Sequence, residues 1–275
     1  MGRRTALAPL ACAGAAGLVP GAGASASASA SASASMVVPG IVTGTRTGTG
    51  TGGPRPPASL LGKEIRRLPT SRKVLALTFN AAWDDSGIAT VLGELRRRSL
   101  PATFFPTGEF AEAEPAAVRA MADAGHGLGN HSYSHPYFKD LTTAERTDEV
   151  RAADAAIRTA SGAEPLPLFR FPYSSTTPAS IADVNALGYA AIEFSADTNG
   201  YLGPEGGMSV ERAVRRAVDA FAPGAIIQMH VGSHEGGGGV VLDAEALPLI
   251  IDAARADGYE VIDLRAFLEA AARGR

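Results

Sequence analysis

The chain is poor in several things that small exported domains use. Its 275 residues hold a single cysteine, Cys12, so no intramolecular disulfide can form. Aromatics make up 6% of it, with one tryptophan, and only Lys63, Lys73 and Lys139 supply lysine. Residues 60–275 contain no run of about 20 strongly apolar residues, which argues against a multi-span membrane protein. The first 60 residues contain no acid at all and carry Arg3, Arg4, Arg46 and Arg55. The remainder holds 21 basic and 28 acidic residues, a net of −7. That balance excludes a phosphate-backbone binder, and no nucleic-acid partner is expected.

The start combines Arg3-Arg4, an apolar stretch over 5–23 and Ala-x-Ala exits. This is the pattern of a secretory signal peptide, and it predicts a secreted, extracellular or wall-associated protein. Residues 1–35 are assigned to that signal and an Ala/Ser tract, and 36–70 to a Thr/Gly/Pro-rich linker. Residues 71–275 remain for one folded domain with no integral membrane span.

In that domain short β-rich runs alternate with stretches of helical spacing. Strands are predicted over 74–79, 102–105, 127–130, 168–171, 189–194, 225–230 and 260–264. Helices are predicted over 87–98, 114–124, 143–160, 178–187, 209–221, 244–257 and 266–273. Apolar runs such as Val74-Leu75-Ala76-Leu77 suit strands covered on both faces, as in a parallel sheet. Seven strand–helix units favour a closed or nearly closed α/β barrel, with chemistry at the carboxyl ends of its strands.

Polar residues collect at those ends. Strand one leads into Asn80-Ala81-Ala82-Trp83-Asp84-Asp85, strand three into Asn130-His131-Ser132-Tyr133-Ser134-His135, and strand five into Ser195-Ala196-Asp197. His131 and His135 are four apart, which on a helical turn places both imidazoles on one face, able to share a metal. A satisfied surface pair is the plainer alternative, and Asp84 and Asp85 at a neighbouring strand end tip the balance toward the metal. His126 between two glycines reads as structural. His234 precedes a glycine-rich stretch and reads as a loop residue.

Leu77-Thr78-Phe79-Asn80, Gly129-Asn130-His131-Ser132-Tyr133-Ser134-His135, Arg170-Phe171-Pro172-Tyr173 and Ile226-Ile227-Gln228-Met229-His230 resemble, in order, the motifs of the polysaccharide deacetylases. These are the NodB-homology domains of carbohydrate esterase family 4, and the likeness covers about residues 72–270. It implies a deformed (β/α)7 barrel that removes acetyl groups from N-acetylated, in some members O-acetylated, polysaccharide. It also implies one divalent metal ion, zinc with cobalt or manganese as alternatives. By the resemblance His131 and His135 bind metal and His230 is the general acid. Asp197 orients His230, Arg170 orients the base, and the Tyr173 N–H serves the oxyanion. Trp83, Tyr133 and Tyr201 are assigned to sugar rings.

The first motif departs from the family pattern, because Asn80 and Ala81 stand where the family has two aspartates. An amide has no usable basicity at neutral pH. The expectation is therefore that Asp84 or Asp85 folds back to the rim, one as metal ligand and one as base, with Asp84 taken as base and Asp85 as ligand but the order open; the alternative is that Asp85 or Ser86 only caps the next helix. Gly200 likewise falls where many members have an aspartate. Two other functions compete with a secreted deacetylase acting on peptidoglycan or a chitin-like glycan. One is a catalytically impaired glycan-binding protein on the same barrel. The other is a C–N hydrolase acting on a small cyclic amide.

Overall fold

The computed structural model describes residues 55–233 and 240–273. The signal segment, most of the 36–70 linker and His234 lie outside those residues. The elements in order are β1 (Glu64–Ile65), β2 (Val74–Ala81), α1 (Ile88–Arg98), β3 (Thr103–Pro106), α2 (Gly108–Ala113) and α3 (Pro115–Asp123). Next come β4 (Gly127–Leu128), α4 (Thr143–Ser161), β5 (Leu168–Phe169), α5 (Pro178–Ala186), β6 (Ala190–Ile192), β7 (Ala196–Asp197) and α6 (Val210–Val218). The chain finishes with β8 (Ala225–His230), α7 (Leu242–Ala256), β9 (Glu260–Ile262) and α8 (Leu264–Ala272).

All named strand pairs are parallel. One sheet runs β4-β3-β2-β8-β7, with β9 also on β2, and the other runs β1-β6-β5. A bridge between Asn130 and Phe169 joins β4 to β5. On the other side the Ser195 N–H, between β6 and β7, donates to the Ile226 carbonyl. The strands thus follow one another round a distorted α/β barrel, with β6 inside the expected fifth strand and β7 just beyond it. Every residue of β2 is buried, as its apolar run requires of a central strand covered on both faces.

Two differences from the sequence reading concern short pieces. Residues 60–70 are not linker: β1 pairs with β6, and Leu60, Ile65 and Leu68 join Leu168, Ile192 and Ile226 in a buried cluster. A two-residue strand offers no period to read, so composition alone misplaced the boundary. No element is expected between 105 and 114, where α2 lies. Its six residues begin with Gly108, and the Thr107 side chain caps it by accepting from the Phe110 N–H.

Candidate functional site

A cleft of about 300 Å3 opens at the carboxyl ends of the strands, lined among others by Asn80, Trp83, His131, His135, Tyr173 and His230. His131 and His135 do meet there, but not on a helical turn. Ser132 and His135 have φ of 67° and 59°, so the chain doubles back in a tight left-handed turn. That turn is held from below. Asn130 Oδ1 accepts from the Ser132 N–H at 2.9 Å, and Ser132 Oγ accepts from the His135 N–H at 3.1 Å. The Glu149 carboxylate on α4 accepts from the N–H groups of Tyr133 and Ser134 at 2.8 and 2.9 Å, and from Ser134 Oγ at 2.6 Å. Sequence reasoning missed Glu149, whose position on a helix reads as an ordinary solvated charge.

The two rings present Nε2 to Nε2 at 3.2 Å. His131 Nδ1 lies 2.8 Å from the Arg170 carbonyl, which can only accept, so Nδ1 carries the proton and Nε2 a lone pair. Burial pushes the His131 pKa well below its ordinary value, with His135 adding to the effect. Burial, then His230, pushes His135 down to about 4. Both imidazoles are therefore neutral near pH 7. Two zinc–nitrogen bonds of about 2.0–2.1 Å in tetrahedral geometry put the nitrogens about 3.3 Å apart, close to the separation seen. The pair thus fits as two ligands of a divalent metal site. Among the described residues no group of three His, Cys, Asp or Glu could hold a metal ion.

The reason is the fate of the first-motif loop. Asp84 Oδ1 accepts from the Ser86 N–H at 3.0 Å and from Ser86 Oγ, while Oδ2 accepts from Ser233 N–H and Oγ at 2.8 and 2.7 Å. Burial works to raise its pKa, but the hydrogen bonds from Ser86 and Ser233 outweigh it and leave the carboxyl below its usual range. Asp84 is a clasp between the loops after β2 and β8, not a base aimed at the imidazoles. Asp85 is exposed and is not part of the cleft wall. Four neighbouring donors hold Asp84 in the clasp, and nothing turns Asp85 inward.

Arg170 is fully buried, and its donors reach neutral oxygens: Asn80 Oδ1 at 3.1 Å and the carbonyls of Ile192 and Glu193 at 3.3 and 3.4 Å. Its guanidinium lies 4.2 Å over the Phe105 ring. Burial draws its pKa down to about 10, against the charges of Glu193 and Asp197.

The opposite wall is rich in acids. His230 Nδ1 lies 3.5 Å from Asp243 Oδ2 and 3.8 Å from Asp197 Oδ1. Asp197 accepts from Gln228 Nε2 at 2.7 Å and from the Asn199 N–H at 2.8 Å. Asp243, in the first turn of α7, is fully buried and accepts from the His230 N–H at 2.8 Å. Its place at a helix start reads in sequence as a dipole partner, so nothing singled it out.

Aromatic rings floor the cleft. Trp83 meets His135 edge-on at 5.0 Å, Tyr173 meets it at 4.6 Å, and Tyr137 stacks on Tyr173 at 4.1 Å. Tyr201 lies 4.3 Å from His230. Tyr133 does not belong with them. Its ring packs on Gly108, where a Cβ would lie 2.2 Å away, and its hydroxyl donates to Glu112 at 3.0 Å. The left-handed turn at Ser132 sends that side chain over α2 instead of into the cleft.

A family model described as polysaccharide deacetylase matches residues 67–192. The chain is 33% identical over 193 residues to a chitooligosaccharide deacetylase of Bradyrhizobium, covering 67% of this chain and 86% of that one. It is 27% identical over 191 residues to the peptidoglycan-N-acetylmuramic acid deacetylase PdaA of Bacillus subtilis, covering 69% of each. Among solved structures it resembles BA3943, a CE4 family pseudoenzyme from Bacillus anthracis, with a TM-score of 0.68, 25% identity, and coverage of 75% of this chain and 69% of that one.

Proposed function

The chain belongs to the polysaccharide deacetylase family, and from that membership we propose that it removes acetyl groups from an N-acetylated glycan, peptidoglycan or a chitin-like polymer, at the cell envelope or outside the cell. The observation that carries this reading is the 3.2 Å approach of two neutral imidazoles at the foot of an aromatic cleft. His131 and His135 would hold the divalent ion, zinc with cobalt or manganese as alternatives. When bound, such an ion polarises the acetyl carbonyl and lowers the pKa of water.

The chain's own residues supply the rest. Trp83 on one side and Tyr201 on the other offer flat faces for sugar rings. The turn around Tyr173 borders the cleft where the oxyanion develops, and Arg170 fixes Asn80 at its back. His230, with Nδ1 turned to the carboxylates, has Nε2 left to give a proton to the departing amine nitrogen. An amide needs that proton, because an amine anion is too poor a leaving group.

Metal content of the purified protein, with acetate release from N-acetylglucosamine oligomers and from peptidoglycan, tests the proposal. Bound metal that disappears in His131→Ala, together with acetate from either glycan, supports it. Metal-free protein that releases no acetate after zinc is added sinks it.

One observation favours a second reading. The buried Arg170 cation faces the neutral Asn80, in the place where a general base belongs, so a glycan-binding barrel with little turnover also fits. Asn80→Asp separates the two. A gain of about 10²–10⁴-fold in acetate release, the worth of a general base, identifies the wild type as impaired; an unchanged or lower rate in a protein that already releases acetate shows that its chemistry runs without one.

A further inference from the structure

We propose that Asp243, on α7, is the positioning residue for His230, and that it supplies from another element the carboxylate missing at Gly200. The inference rests on the role of His230 in the deacetylase reading above. Its first support is the partner inventory. Both Asp197 oxygens are engaged, Oδ2 with Gln228 Nε2 at 2.7 Å and Oδ1 with the Asn199 N–H at 2.8 Å. Asp243 uses Oδ2 for the His230 N–H, and its buried Oδ1 has no hydrogen-bond partner. His230 Nδ1 is also buried without one. The Asp243 oxygen nearest to Nδ1 is Oδ2, at 3.5 Å, and a carboxylate oxygen that accepts one hydrogen bond keeps a lone pair for a protonated Nδ1.

The second support is steric. A Cβ built on Gly200 would lie 2.2 Å from Asp243 Oδ1 and 2.4 Å from its Cγ, with the Asp243 backbone nitrogen farther off at 2.9 Å. The Asp243 carboxyl therefore occupies the volume in which a residue-200 side chain would begin. A side chain at 200 and the observed Asp243 exclude each other, and Gly200 is the residue that admits Asp243. The other titratable groups that act on His230 are Asp197 on β7, Tyr201 after it, and His131 and His135 across the cleft. Of these groups, Asp243 has the carboxylate nearest to Nδ1.

The test uses the whole, metal-free chain labelled with 15N-histidine, so that its readout does not depend on turnover. Asp243→Asn keeps an oxygen for the His230 N–H but removes the charge. It is expected to move the His230 Nδ1 resonance more than Asp197→Asn does. The rescue pair is Asp243→Ala alone and Asp243→Ala with Gly200→Asp. The double variant is expected to regain the wild-type Nδ1 signature that the single variant loses. A larger effect from Asp197→Asn, or a folded double variant with no recovery, overturns the proposal. Because these signals are read without metal or substrate, a failed deacetylase assay leaves them standing, and their failure leaves that assay standing.

Discussion

The two walls of the cleft are unequal. Around His131 and His135 the structure gathers two imidazoles, an arginine and an amide, with Asp84 tied into a clasp and Asp85 at the surface. Around His230 it gathers two carboxylates within 4 Å of one ring nitrogen. The side that should hold a cation is short of anionic ligands, whereas the side that should deliver a proton has them in excess. The lesson is that a barrel rim can lose acidic groups at one strand end while keeping, or importing, them at another. In the deacetylase reading, the groups for attack and those for departure thus stand at separate strand ends.

The sharpest way to break the comparison is His131→Ala. If His131 and His135, the two imidazoles that meet among the described residues, hold the cation, bound metal measured by elemental analysis is expected to fall to background; retention of half or more would mean that another group carries the ion. Next is Glu149→Gln, which keeps one acceptor but weakens the support beneath the Ser132–His135 turn. Zinc affinity by competition with a chelator is expected to drop about 10–100-fold, the usual range for partners that orient ligands, with little change at His230.

A third test uses acid. His135 stands at about 4 in the folded chain against about 6.5 when unfolded. Between those values the unfolded chain binds more protons, so stability is full above about pH 6.5 and is lost as pH falls toward 4. Urea melts of the metal-free protein should show a loss of about 1–3 kcal/mol over that window, which His135→Gln reduces. The smallest effect concerns the clasp. Ser233→Ala removes one of the two Ser233 donors to Asp84, and about 1 kcal/mol of stability should go with it while metal content stays unchanged. A fall in metal content would return Asp84 to the imidazole side.

The barrel was largely legible because its strands are apolar runs that stop at polar residues, and every one of the seven predicted strand regions carries a strand. The histidine pair was legible by its spacing, although the reason given was incorrect. A left-handed turn braced by Glu149 does the work assigned to a helical turn, and nothing in four-residue spacing distinguishes them. Asp84 and Asp85 were placed by proximity in sequence alone, and the serines that claim Asp84 include one nearly 150 positions away. Asp243 was invisible for the same reason: its partner His230 belongs to another element, and only the folded chain shows that Gly200 leaves room for it.

The lone tryptophan has a use of its own. Trp83 lies 5.0 Å from His135 at the mouth of the cleft. Fluorescence excited selectively in its indole therefore comes from a single place, beside the imidazole pair. Ion loading and saccharide docking should each quench or shift that emission without any attached dye. Titrations of either kind could then be followed in the native chain, even if no acetate is ever released.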